Sequence, residues 1–177
     1  YLREVLMDPV AGCEMAITAE NLGEKYGITR EEADDYGFRS QSAWAAAHEK
    51  GLYADEIVPV TIPSRRGDVV VSVDEHPQLS PLQSDKVRGR FGREAMAGLR
   101  PVFKKDGTVT TANASGINDG AGAMVMTTAD IASQRGLAPI GRLISSASVG
   151  VEPTLMGIGP VAAIQEALKR ANMSLGQ

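Results

Sequence analysis

Two glycine-bearing stretches hold most of the residues whose types and spacing could do chemistry. In T-T-A-N-A-S-G-I-N-D-G-A-G-A (110–123), small residues at Ala112, Ala114, Ser115, Gly116, Gly120 and Gly122 allow close approach of backbone or ligand. Asn113, Ser115, Asn118 and Asp119 supply short polar groups suited to turns. The plainer reading of this stretch is a tight, buried turn feeding a core strand. In M-G-I-G-P (156–160), two glycines open a helix whose free N–H groups suit an anion or a carbonyl oxygen, and Met156 suits an apolar channel. Helix starts of this composition are common, so the motif alone assigns nothing. The single cysteine, Cys13, has no histidine nearby and no metal-ligand spacing, and it cannot form an intramolecular disulfide. A reducing compartment is the simpler assumption. His48 lies among polar residues near a helix end, where a positive group suits the dipole, and reads as a surface residue.

Charge narrows the partners. The chain carries −4 overall, yet residues 84–106 hold seven cations (Lys86, Arg88, Arg90, Arg93, Arg100, Lys104, Lys105) against Asp85, Glu94 and Asp106. A local positive field on an acidic protein suits a small anionic ligand better than a long polyanion, with a solvated loop as the plainer alternative. No aromatic platform accompanies these cations, which argues against nucleic acid. The longest apolar runs, such as Val69–Val71 and 123–126, fall far short of the roughly 20 residues a membrane span needs. With 43% hydrophobic and 23% charged residues the 177-residue chain is neither coiled coil, collagen nor generally disordered. Its eight aromatics leave the core to Ala, Val, Ile, Leu and Met. The chain starts at Tyr1 with no signal-peptide pattern, and reads as an internal or processed piece.

The elements that must position these residues follow from local signals. Thr18 reads as the N-cap of a helix that stops at Gly27. Thr29 and Glu32 form a capping box for a long helix over 29–50, with a packing stripe of Tyr36, Ser40, Ala43, Ala47 and Trp44. Two β-rich runs, 56–62 and 68–73, flank Ser64-Arg65-Arg66-Gly67 and predict a small hairpin or two edge strands, with Pro59 and Pro63 arguing against a central position. A loop over 74–90 and a helix over 91–99 follow. Residues 108–112 read as β-like, 121–126 as a buried strand, 128–135 as a helix, 139–151 as a second apolar strand and 157–172 as a helix. Strand and helix alternating in the second half indicate an α/β layered fold, after an irregular α+β first half.

The motifs in order carry a resemblance. E-M-A-I-T-A-E-N-L (14–22), Y-G-I-T-R-E-E (26–32), D-E-I-V-P-V (55–60), L-R-P-V-F-K-K-D-G-T-V-T (99–110), N-A-S-G-I-N-D-G-A (113–121) and V-G-V-E-P-T-L-M-G-I-G-P (149–160) follow one another as in thiolases. The chain thus resembles the acyl-CoA and acetoacetyl-CoA acyltransferases. The resemblance implies an α/β thiolase-like layered core, present in part, with an inserted α+β loop domain that holds coenzyme A. Residues 1–112 would be that loop domain, 113–137 the end of the first core domain and 138–177 the start of the second. It further implies thiolytic cleavage of 3-ketoacyl-CoA or condensation of two acetyl-CoA, with the coenzyme A thioester as substrate and no cofactor. The complete enzyme would be an intracellular homo-oligomer, of cytoplasm or mitochondrion.

Thiolases use a nucleophilic cysteine, a Gly-His-Pro histidine and a second cysteine in Cys-x-Gly-Gly-Gly, and none of these motifs is in this chain. Cys13 and His76 match none of them. The nucleophile would precede Tyr1, the other two groups would follow Gln177, and the chain by itself would be inactive. The ligand positions do carry over. Ser115 resembles the serine that hydrogen-bonds the pantetheine arm, with Ala114 beside it. Met15 and Phe103 resemble apolar residues of the coenzyme A cleft, and Met156 resembles the methionine near the acyl site. The stretch from His76 to Leu99 is longer and more basic than in the family, with Gln78 where many relatives have Arg, and no nucleotide contact is carried over from it. The alternative reading is a non-enzymatic coenzyme A-binding or interaction module derived from a thiolase.

Overall fold

The computed structural model describes residues 6–75, 77, 79, 85–89 and 91–176, so His76 and Gln78 lie outside it. The chain divides into two compact units, Tyr1–Gly116 and Ile117–Gln177.

In the first unit a two-residue ladder, β1 (Met7–Asp8) against β2 (Cys13–Glu14), leads straight into helix α1 (Met15–Tyr26). The Asp8 carboxylate shapes the intervening turn by accepting from the N–H groups of Val10 (2.8 Å) and Ala11 (2.9 Å). The helix therefore starts three residues before the expected cap at Thr18. That residue is inside α1, buried, and its hydroxyl donates back to the Met15 carbonyl at 2.6 Å. Gly27 ends the helix in a left-handed conformation (φ 67°). Helix α2 (Arg30–Glu49) has the expected capping box: Thr29 Oγ1 accepts from Glu32 N–H, and Thr29 N–H donates to Glu32 Oε2 at 2.8 Å.

The stripe anticipated on α2 holds only towards its C-terminal end, where Trp44 and Ala47 are half-buried. Tyr36, Ser40 and Ala43 are exposed, and the inward face runs through Asp34, Gly37 and Phe38. The reason is steric. A Cβ on Gly37 would stand 3.2 Å from the Asn113 Cα, so the backbone of 112–113 packs where α2 has no side chain. Phe38 stacks on Phe91 (centroids 5.8 Å apart), and Phe38, Leu79 and Leu99 pack against the buried cluster of Phe91, Met96 and Ala112. Met96 is fully buried at the centre of this small cluster. His48 stacks on Trp44, with ring centroids 5.0 Å apart.

The hairpin forms as expected, β3 (Val60–Ile62) antiparallel to β4 (Val69–Val71), with Thr61 opposite Val70. Two short helices follow, α3 (Asp85–Arg88) and α4 (Arg93–Ala97). Residues 108–112 are not a strand but a run into a turn, because side chains satisfy their backbone groups where a ladder was expected.

In the second unit, α5 (Ala129–Gln134) is capped by Thr128 Oγ1, which accepts from Ile131 N–H. A 3-10 turn (Pro153–Ile158) leads into α6 (Gly159–Ala171), which ends at Asn172 in the left-handed region. Ser145 Oγ donates to the Ala167 carbonyl (2.6 Å) and Arg170 Nη1 to the Ser146 carbonyl (2.9 Å), tying the preceding segment to α6. The two stretches read as buried strands depart from expectation. Neither 121–126 nor 139–151 has a ladder partner among the described residues, and Val125 (96%) and Ile140 (109%) are exposed. Apolar composition measures the tendency to be covered, and a strand needs a neighbour to exchange hydrogen bonds with.

Candidate functional site

The segment 107–116, which holds the first half of the small-residue motif, is fastened by two carboxylates. Glu20, on α1, is buried, and its carboxylate accepts from Thr108 N–H (2.8 Å), Thr108 Oγ1 (3.0 Å) and Val109 N–H (2.9 Å). Three donors around one carboxylate meet the requirement for placing a charge away from water. Gly107 completes the seat, since a Cβ there would collide with the Glu20 carboxylate. Val102 N–H donates to the Val109 carbonyl at 3.0 Å and closes a loop that carries Phe103.

Asn113 is the second junction. Its Oδ1 accepts from Thr110 N–H (2.8 Å), and its Nδ2 donates to both the Thr108 carbonyl and Asp34 Oδ1 (2.8 Å each). Asp34 in turn takes Arg30 Nε on its other oxygen at 2.7 Å, and Arg30 Nη2 donates to the Met96 carbonyl at 2.6 Å. That carbonyl lies in the last turn of α4, where a helix leaves acceptors without intrahelical donors. Thr110 is fully buried, and Ala114 N–H returns to its carbonyl at 3.0 Å. Among the described residues every buried side-chain polar atom has a partner, so the network is closed.

The expected ligand residues lie on the elements that this network fixes, with one exception. Met15 is the first residue of α1, five positions before Glu20, and is 38% exposed. Phe103, 36% exposed, sits in the loop closed by Val102 and Val109. Ala114 and Ser115 emerge exposed directly after the Asn113 junction, with Ser115 Oγ donating to the Gly116 carbonyl at 3.3 Å. Met156 belongs to the second unit, in the 3-10 turn, and is 41% exposed. Asn118 and Asp119 are exposed too. Sequence reasoning did not single out Glu20 and Asp34. The Arg30 and Asp34 spacing of four was the only local sign, and their decisive partners stand 79 to 89 residues away.

The basic window is partly neutralised. Arg93 pairs with Asp35 and lies over the Phe38 ring, 5.3 Å from its centroid, and Lys104 pairs with Glu24. A cavity of about 410 Å³, lined by Phe38, Gly92, Arg93, Glu94 and Ala95, includes none of the expected ligand residues. Among the described residues no cluster of His, Cys, Asp and Glu is suited to hold a metal, and no helix is long and apolar enough to cross a membrane.

The fold is that of α/β acyltransferases: the acetyl-CoA acetyltransferase of Bacillus anthracis superposes with a TM-score of 0.84 at 44% identity, over 99% of this chain and 42% of that one. Human mitochondrial 3-ketoacyl-CoA thiolase in complex with CoA gives 0.81 at 40% identity, over 99% of this chain and 41% of that one. In sequence, the acetyl-CoA acetyltransferase of Syntrophomonas wolfei is 46% identical over 170 residues, 96% of this chain and 40% of that protein. The family model described as "Thiolase, N-terminal domain" matches residues 1–130. The chain belongs to the thiolase family, and it spans about two-fifths of the length of these relatives.

Proposed function

We propose that this chain is the coenzyme A-holding part of a thiolase, an acyltransferase that cleaves 3-ketoacyl-CoA or condenses two acetyl-CoA. Residues 1–112 act as the loop domain, 113–137 end the first core domain and 138–177 begin the second. Ser115 and Ala114 face the pantetheine arm, Met15 and Phe103 line its apolar side, and Met156 stands near the acyl group. The observation that carries this reading is the likeness, over 99% of the chain, to a thiolase solved with CoA. The chemistry agrees with it. A thin pantetheine needs small residues and a few amide partners, and 113–116 offers both on a backbone held rigid by buried carboxylates.

The chain itself carries no Gly-His-Pro and no Cys-x-Gly-Gly-Gly. The second reading is a module that binds coenzyme A without turning it over. Two measurements on the purified chain test the proposed function. The purified chain is expected to leave acetoacetyl-CoA intact and to bind coenzyme A weakly by calorimetry, with affinity falling as salt rises because Lys86, Arg100 and Lys105 lie in the basic window. Turnover that survives Cys13→Ala would sink the assignment of motifs. Equal affinity at low and high salt would remove the electrostatic part, and no binding at all would contradict the proposed function.

A further inference from the structure

We propose that Asp34 and Glu20 are positioning residues of the acyl-CoA cleft, acting through Asn113 and the 107–110 backbone to fix where Ser115, Ala114 and Phe103 stand. The inference rests on the proposed function above for the ligand, and on the network for the mechanism.

Three segments carry the expected cleft residues of the first unit: the start of α1, the loop 102–109 and the stretch 113–116. Glu20 joins the first to the second, through three donors on Thr108 and Val109. Asn113 joins the second to the third, and its amide has only one orientation that satisfies all its neighbours. Thr110 N–H requires an oxygen, whereas the Thr108 carbonyl and Asp34 Oδ1 both require N–H donors. Asp34 selects that orientation, because a carboxylate presents only acceptors to the Asn113 amide. Arg30 holds Asp34 in place on its other oxygen. Ala114 and Ser115 are the next residues along the chain, and neither is buried. Their position is therefore set by the junction behind them rather than by packing of their own side chains.

The direction of these hydrogen bonds yields a test that a merely supportive role would fail. In Asp34→Asn, one amide must serve both Arg30 and Asn113 with a single oxygen, so one contact is lost. In Glu20→Gln, the amide oxygen can keep one side of the seat, and the amide nitrogen is then placed against the backbone N–H of Val109 or of Thr108. The double exchange of Asp34→Asn with Asn113→Asp restores one carboxylate–amide contact, but it sets a carboxylate oxygen against the Thr108 carbonyl.

Amide hydrogen exchange by NMR and coenzyme A titration would be run on the whole chain for the wild type and these three variants. Expected in each single variant is exchange at Thr108, Val109, Thr110 and Ala114 faster by about tenfold, and coenzyme A affinity weaker by about tenfold, the size of one lost hydrogen bond to a charged group. Amides in the middle of α2 should be unchanged, which certifies that the variant is folded. The double exchange should not recover wild-type behaviour. Unchanged exchange in 108–114, or full recovery in the double exchange, would overturn the proposal. Altered exchange with unchanged affinity would overturn its link to the cleft. A wild-type chain that binds no coenzyme A but shows the local exchange pattern would contradict the proposed function while supporting the role of Asp34 and Glu20 in fixing the segment.

Discussion

The two units treat their small and apolar segments in opposite ways. In 1–116 a modest apolar cluster around Met96 is supplemented by buried carboxylates, and the glycine-poor turn 108–114 has its backbone satisfied at nearly every step. In 117–177 the most apolar runs stand open: Met124, Val125, Ile140, Leu143 and Ile144 are all exposed, and the second run is tied to α6 by Ser145 Oγ donating to the Ala167 carbonyl and by Arg170, on α6, donating to the Ser146 carbonyl. The difference lies in how backbone groups are met: by buried side chains in 108–114, and without ladder partners among the described residues in 121–126 and 139–151. Glu20 and Asn113 each meet three partners in the first unit, whereas Val125 has no ladder partner among the described residues.

Substitutions sharpen this contrast, and the largest effect is expected at the cluster. Met96 is fully buried, so Met96→Ala should lower the stability of the first unit by about 2–5 kcal/mol, read as a shift in the urea midpoint. A shift below about 1 kcal/mol would mean that the network alone carries the unit. Next is Thr29→Ala, which removes the N-cap of α2 and should cost about 1 kcal/mol, again from the urea midpoint. The smallest change in stability is expected from Val125→Lys combined with Ile140→Lys, within about 0.5 kcal/mol, because both side chains are already in water. These two should instead reduce self-association in sedimentation, since exposed apolar runs are templates for pairing. A large loss of stability would show that the runs are covered in solution.

The sequence made the local devices legible. The capping box of Thr29 and Glu32, the stop at Gly27 and the hairpin around Ser64–Gly67 are each written within a few residues, and each appears in the structure. The order of the motifs likewise pointed to the thiolase family, to which the chain belongs. What escaped depends on distant partners. Glu20 and Asp34 look like ordinary helix charges until Thr108 and Asn113 arrive from far along the chain. Thr18 has the type of a cap yet sits in the second turn, because the β2 ladder runs into the helix at Met15. Runs 121–126 and 139–151 have strand composition, and composition does not supply a neighbouring strand.

Hydrogen exchange on the intact chain, followed by mass spectrometry with and without coenzyme A, tests the central claim most directly. Slow exchange is expected over α1, α2 and 108–114, fast exchange over 121–126 and 143–151, and further protection on adding coenzyme A that includes Phe103 to Ser115. Strong, uniform protection of 121–126 and 143–151 in a monomer of 18.7 kDa, or coenzyme A protection that leaves 103–115 untouched, would contradict it.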